Sequence, residues 1–289
     1  ERPLYKQLRQ VHSGQGIEWS KLTAYQVLKQ QFGNRYSLCS RKIQTYNHHL
    51  SHAAAGFQTG PFDRATVVVI DAIGEWDTIT IWKAEYDHRG HATYHRLWGQ
   101  RYPHSVGLLY SAITSRVGLH PLDEEYITMG MAGWGSPELK DHLKQQLVND
   151  EWEIKLKHNL HTGVPEGFMD GAKYEDIAAS AQAATEDLIT NVMRRARDFG
   201  VSKNLVYMGG VALNCLANRL LGEYFDKTWI MPCPGDAGSS VGAAALAYGQ
   251  IKSIHRIYGC RRCYTRSSIA LIDTHITIDD AIAHKSGRI

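Results

Sequence analysis

The hydrophobic periods of the chain predict an α/β fold, and three observations carry the prediction. From Ala65 the pattern becomes strand-like: the apolar run Thr66-Val67-Val68-Val69-Ile70 is followed by two more extended stretches. A long helical repeat then fills residues 171–199. After it, strand-like and helix-like segments alternate between 204 and 248, the habit of a helix-covered sheet.

Taken in order, residues 21–31 predict a helix ended by Gly33-Asn34, and 36–45 predict a strand. A helix follows from about His48, where Ala53-Ala54-Ala55 favour that state, and it ends near Gly60-Pro61. Residues 65–71, 78–84 and 91–98 read as three consecutive strands. The breaks at Ile73-Gly74-Glu75 and Asp87-His88-Arg89-Gly90 are short enough for an antiparallel meander. Residues 104–119 place Val106, Leu109, Ile113 and Val117 on one helical stripe, with Ser105 as a candidate cap. The glycine-punctuated, acidic stretch 124–135 reads as a loop over a cleft, and 137–148 as a short polar helix. In the long repeat, Ile177, Ala181, Ala184, Leu188, Val192, Ala196 and Phe199 recur at helical spacing until Gly200. Strand 204–208, helix 211–222, strand 228–231 and a small-residue helix 237–248 complete the alternation. Residues 274–279 alternate like a further strand, within a stretch of little core-forming character.

Three strands, a helix, then strand–helix–strand–helix is the order of a ribonuclease-H-like lobe. Two such lobes facing across a cleft make the nucleotide-binding architecture of actin, sugar kinases and chaperone ATPases. Only the second lobe is complete in this reading. The expected organisation is a first-lobe remnant with the histidine helix over 1–64, the second lobe over 65–250, and a tail over 251–289. The start, Glu1-Arg2-Pro3, has neither initiator methionine nor signal-peptide pattern, so the chain reads as an interior piece of something longer.

Composition narrows the function classes. The chain of 289 residues is 43% apolar and 21% charged, which suits an ordinary globular protein and not a disordered one. A net charge of +3 is too small to argue for nucleic acid or an anionic membrane, and no stretch is long and apolar enough to span a bilayer. Five scattered cysteines form no disulfide framework, which points to a reducing, cytoplasmic setting; Cys260-x-x-Cys263 has no second pair and is weak as a zinc or redox motif.

The chemistry concentrates in four places. His48 and His52 are four apart, so on a helix both imidazoles can reach one metal ion. Asp71 ends the first strand at the turn that carries Gly74 and Glu75, where in this architecture the chain approaches phosphates; Gly74 would supply a positive φ if the turn needs one. Gly209-Gly210 joins a strand to a helix start, presenting N–H groups to an anion, with Asn214 able to bond a base, ribose or phosphate. Gly235-Asp236 repeats the design at the next helix. Two histidines and two aspartates suit iron, manganese or zinc. Bland alternatives stand beside each: satisfied helix histidines, a hairpin with an incidental acid, a common Gly-Gly turn, and an aspartate that merely caps its helix.

These pieces, in register over about residues 45–250, resemble the O-carbamoyltransferases of the nodulation-factor and antibiotic type. The resemblance rests on His-His-x-Ser-His-Ala, Asp-x-x-Gly-Glu-Trp, Pro-His-Ser-x-Gly-x-x-Tyr, Met-Gly-Met-Ala, Gly-Gly-Val-Ala-Leu-Asn and Pro-Gly-Asp-x-Gly. It implies two-step chemistry: carbamoyl phosphate and ATP give carbamoyl-adenylate, and the carbamoyl group then passes to a hydroxyl of a small molecule. It further implies a metal, usually iron, held by the residues matching His48, His52, Asp71 and Asp236, and a YrdC-like adenylate-forming domain elsewhere in the full-length protein. Relatives include hydrogenase-maturation carbamoyltransferases and tRNA-threonylcarbamoylation ATPases, but Glu75-Trp76 and the Pro-His-Ser-Val-Gly start resemble the small-molecule branch. The chain also departs from the family pattern. Ala72 stands where relatives have glycine, and Ile127 where many have lysine. The opening strand, whose aspartate and histidine include the candidate base, is missing, so the expected piece is inactive alone.

Overall fold

In the computed structural model, which describes residues 45–249, the chain from Asn47 belongs to one compact unit. Helix α1 (His48–Thr59) comes first; Asn47 caps it, its side-chain oxygen accepting from Leu50 N at 3.0 Å. Strands β1 (Arg64–Gly74), β2 (Asp77–Tyr86) and β3 (Ala92–Arg101) follow as an antiparallel meander. Helices α2 (Val106–Arg116), α3 (Glu125–Met131) and α4 (Lys140–Leu147) lead to a small hairpin of β4 (Val148–Asp150) and β5 (Lys155–Leu156). The long α5 (Tyr174–Asp198) delivers the chain to β6 (Asn204–Met208). A four-residue α6 (Cys215–Asn218), the short β7 (Lys227–Trp229) and α7 (Asp236–Tyr248) close the described residues.

Five strands make one mixed sheet in the order β3-β2-β1-β6-β7, with β6 parallel to β1 and β7 parallel to β6. β1 is central, which explains its run of β-branched residues: both faces are covered, and Val67, Val68, Val69 and Ile70 are all wholly buried. Each such side chain contributes about 1.5–3 kcal/mol of burial. Alternation divides them. Val67 and Val69 pack with Phe57, Trp82, Val206 and Met208 on the α1 side. Val68 and Ile70 pack with Leu109, Ile113, Ile177, Leu188 and Tyr207 on the α2 and α5 side. Helices thus cover both sheet faces.

Small residues set the helix spacing on the α1 side. A Cβ at Gly56 would lie 2.5 Å from Met208 Cγ and Val206 Cγ1, so α1 rests directly on β6. A Cβ at Gly242 would meet the Ser51 carbonyl and Ala55 N, so α7 crosses α1 backbone to backbone. This close crossing carries the N-terminus of α7 to the histidines of α1.

Two local expectations are corrected. Residues 124–135 are not a loop: they form α3 and a 3-10 turn at Ala132–Trp134. Glu125 fixes this helix by accepting from Ser111 Oγ and Leu122 N, both at 2.6 Å, and Thr128 Oγ1 bonds Thr114 Oγ1 at 2.9 Å. The helix expected at 211–222 is broken into a 3-10 turn (Gly210–Leu213), α6 and a second 3-10 turn (Leu221–Glu223). Asn214 causes the restart by capping α6, its Oδ1 accepting from Ala217 N at 3.0 Å. The β4–β5 hairpin had no periodic signal. The helix expected at 21–31, nearly all of the strand expected at 36–45, the alternation at 274–279 and the Cys260/Cys263 pair lie outside the described residues.

Candidate metal centre

Three elements converge at the C-terminal end of β1. Helix α1 brings His48 and His52, stacked one turn apart with ring centroids 4.8 Å from each other. β1 brings Asp71, and the first residue of α7 is Asp236. Gly235 stands at the cap position with no side-chain bond, so Asp236 is free of capping duty and its carboxylate faces the imidazoles. One ligand atom from each of the four residues lies within 4.8 Å of all the others.

The separations suit an ion. His48 Nε2 stands 3.4 Å from Asp71 Oδ2 and 3.3 Å from Asp236 Oδ1; His52 Nε2 stands 3.2 Å from each, and 3.1 Å from His48 Nε2. Donor atoms about 2.1 Å from a shared ion stand roughly 3.0–3.4 Å apart, so the four atoms already sit at ligand spacing. Two imidazoles and two carboxylates are a donor set for a borderline or hard divalent metal. His52 is wholly buried, whereas the Asp236 side chain is 74% exposed, so the cluster has a closed floor and one open side.

Electrostatics agree with a site built for positive charge. Burial disfavours a charged His48, but its hydrogen bonds to the Asp236 and Asp71 carboxylates outweigh it and push the imidazole up to about 10. His52 is raised in the same way, against the same burial penalty. Asp71 is held well below the usual carboxylate range, because hydrogen bonds from His48 and His52 overcome its burial. Asp236 is lowered by the same two histidines.

The other expected residues are placed as follows. Gly74 does not take a positive φ; that falls to Glu75, at φ 60°. Gly74 is needed for space, since a Cβ there would lie 2.5 Å from His48 Cδ2 and also overlap the His49 ring. Glu75 Oε2 accepts from Asn47 Nδ2 at 3.1 Å, tying the turn to the start of α1. Gly209 has φ 94°, and its position against the Ile70 backbone leaves no room for a Cβ. Gly210 N donates to Asp71 Oδ1 at 3.4 Å. A Cβ at Gly235 would stand in van der Waals contact with Gly210 Cα, at 4.0 Å. Asn214 stands apart, its amide paired with Gln182 at 2.9 and 3.0 Å in a buried network that includes Tyr110. The segment after Gly210 is too short for a helix dipole, so of the two helix starts only that of α7, 13 residues long, offers one.

Sequence reasoning missed the shell behind the ligands. His49 is wholly buried, with Nδ1 2.8 Å from Thr80 Oγ1, and burial pushes its imidazole down to about 4. Ser105, expected as a cap, accepts from Leu108 N at 3.1 Å and also donates to the carbonyls of Asp71 and Ala72. The His48-His49 doublet was visible; its partner 31 residues away was not.

The family model for the carbamoyltransferase N-terminus matches residues 17–245. An uncharacterised Synechocystis protein is 37% identical over 226 residues, covering 70% of this chain and 36% of its own length. The nodulation protein NolNO of Sinorhizobium fredii is 27% identical, over 80% of this chain and 35% of its own. The 3'-hydroxymethylcephem-O-carbamoyltransferase of Streptomyces clavuligerus is 24% identical, over 70% of this chain and 40% of its own. Among solved structures, T. kodakarensis HypF matches with a TM-score of 0.40 and 17% identity, over 81% of this chain and 39% of its own. This chain therefore spans well under half the length of the curated relatives named here. The family resemblance read from six motifs holds, and the chain belongs to the carbamoyltransferase N-terminal domain family.

Proposed function

We propose that the chain is the metal-bearing transfer domain of an O-carbamoyltransferase. It passes the carbamoyl group of carbamoyl-adenylate to a hydroxyl of a small-molecule acceptor. A YrdC-like domain of the full-length protein makes the adenylate from carbamoyl phosphate and ATP. The observation that carries this reading is the convergence of His48, His52, Asp71 and Asp236 at ligand spacing in a carbamoyltransferase-family chain. The strand order β3-β2-β1-β6-β7 supports a ribonuclease-H-like lobe over 65–250.

His48, His52, Asp71 and Asp236 would hold a divalent ion, iron first and manganese or zinc otherwise, and the ion would supply positive charge to the phosphate end of the adenylate. The chain's own residues prepare the place. Gly210 and Gly235 bring bare backbone close together beside Asp71 and Asp236. The N-terminus of α7 adds partial positive charge beside Asp236. The acceptor oxygen attacks the carbamoyl carbon, the carbon–oxygen bond to AMP breaks, and the acceptor proton leaves to a base upstream of the described residues.

The test is AMP release by the full-length protein that contains this domain, from pre-formed carbamoyl-adenylate with a set of hydroxyl acceptors and one divalent ion. Release should depend on the acceptor and vanish in the His48→Ala, His52→Ala double variant. Because the chain spans only part of its relatives, a second reading is a nucleotide- and metal-binding module without turnover. Tight binding of ion and adenylate with no acceptor-dependent AMP would replace the first reading with the second.

A further inference from the structure

We infer that His49 is a positioning residue for the His48/His52 pair, held in place by its hydrogen bond with Thr80. The inference rests on the metal reading above and concerns residues outside the ligand set.

Successive helix residues point about 100° apart, so His49 is turned away from the cluster and into the sheet while His48 faces it. There it meets Thr80 of β2, whose Oγ1 lies 2.8 Å from His49 Nδ1 and also accepts from the Trp82 indole N–H at 2.8 Å. The indole takes one lone pair of the hydroxyl. The other hydrogen-bonding position of the hydroxyl faces His49 Nδ1. All three residues are buried, so water does not compete for these bonds.

Packing alone does not explain this histidine. Its Nε2 is buried with no hydrogen-bond partner among the described residues, a cost that an apolar side chain in the same space would avoid. Conflicts of that kind concentrate at functional sites. The His49 ring touches what the centre depends on: its centroid lies 5.8 Å from that of His48 and 6.5 Å, edge-on, from that of His52. A Cβ at Gly74 would overlap both His48 and His49, so the turn that follows Asp71 rests on the two rings together. Any rotation of His49 would therefore displace His48 and the Asp71 turn at once.

Cobalt(II) is the probe, because its visible absorption reports ligand geometry separately from affinity and from thermal stability. The chain and its Thr80→Val, Thr80→Ser and His49→Phe variants are titrated with the ion, with the His48→Ala, His52→Ala double variant marking loss of the site. Thr80→Val has a similar shape, lacks the hydroxyl and touches no ligand. We expect it to weaken cobalt about 10-fold, the cost typical of outer-shell losses, and to shift the absorption bands while the melting temperature holds within a few degrees. Thr80→Ser, which keeps the hydroxyl, should behave as the parent, and His49→Phe should resemble Thr80→Val. Parental affinity and spectrum in both Thr80→Val and His49→Phe would overturn the inference, as would an affinity that falls only in step with melting temperature. A parent chain that binds no cobalt would overturn the metal reading itself, and this inference with it.

Discussion

Gly74 and Glu75 divide between them a job that the sequence assigns to glycine alone. Glu75 carries the positive φ, and Gly74 supplies the space against which His48 and His49 pack. Gly74→Ala should therefore cost about 1–3 kcal/mol by overpacking, and weaken metal at least as much as Thr80→Val, both readable from melting and titration. Proton linkage gives a second prediction at this scale. Asp236 and Asp71 hold His48 up to about 10, so an ion must displace a proton to bind. Affinity should rise from pH 6 to 9, and calorimetry in two buffers of different ionisation enthalpy should show at least one proton released per ion. Affinity independent of pH would mean that His48 is not a ligand. In the metal-free chain, stability linkage has a separable window. The raised His48 and His52 contribute stability that is full below pH 6.5 and lost as pH rises through their folded values, about 10 for His48; the lowered Asp71 contributes stability lost only below its ordinary value near 3.8. His49, lowered to about 4, instead loses its contribution as pH falls from 6.5 toward 4. Urea denaturation across that window should show a steeper acid loss in the parent than in His49→Phe.

At the scale of elements, the centre depends on how closely α7 crosses α1. Gly242 allows backbone contact with Ser51 and Ala55, and that contact brings Asp236 to within 3.2 Å of His52. Gly242→Val should push α7 outward, lower stability by about 1–3 kcal/mol and remove one carboxylate from the cluster. A Gly242→Val chain that binds metal as the parent does would show that Asp236 is dispensable. Strong periodicity made most elements legible in the sequence. The run 65–71 is apolar on both faces, as a central strand must be, and the repeat of 171–199 has room for no other state. The failures share a physical cause. At 124–135 the helix is stabilised by Glu125 reaching Ser111 and Leu122, tertiary bonds that outweigh the glycines. At 211–222 the helical pattern is real, but the Asn214 cap interrupts it. Side-chain hydrogen bonds, not hydrophobic period, decided both.

For the molecule as a whole, the fold brings together donors that are remote in the chain, His52 and Asp236 being 184 positions apart. The four donors were readable because each sits at a recognisable junction: a helix face, a strand end, a helix start. What was not readable is which junction residues face the cluster. Asn214, expected to bond a base, ribose or phosphate, instead has its amide closing a buried network with Gln182 and Tyr110. The sheet order is what sorts them, placing β1 between β2 and β6 so that the end of β1 meets both α1 and the start of α7. This meeting point is proposed to hold one divalent ion. Anomalous scattering from crystals of the chain grown with a divalent transition metal locates such an ion. A single strong peak is expected within bonding distance of His48 Nε2, His52 Nε2, Asp71 and Asp236; an ordered, fully occupied peak elsewhere, with none at these four residues, would rule the site out.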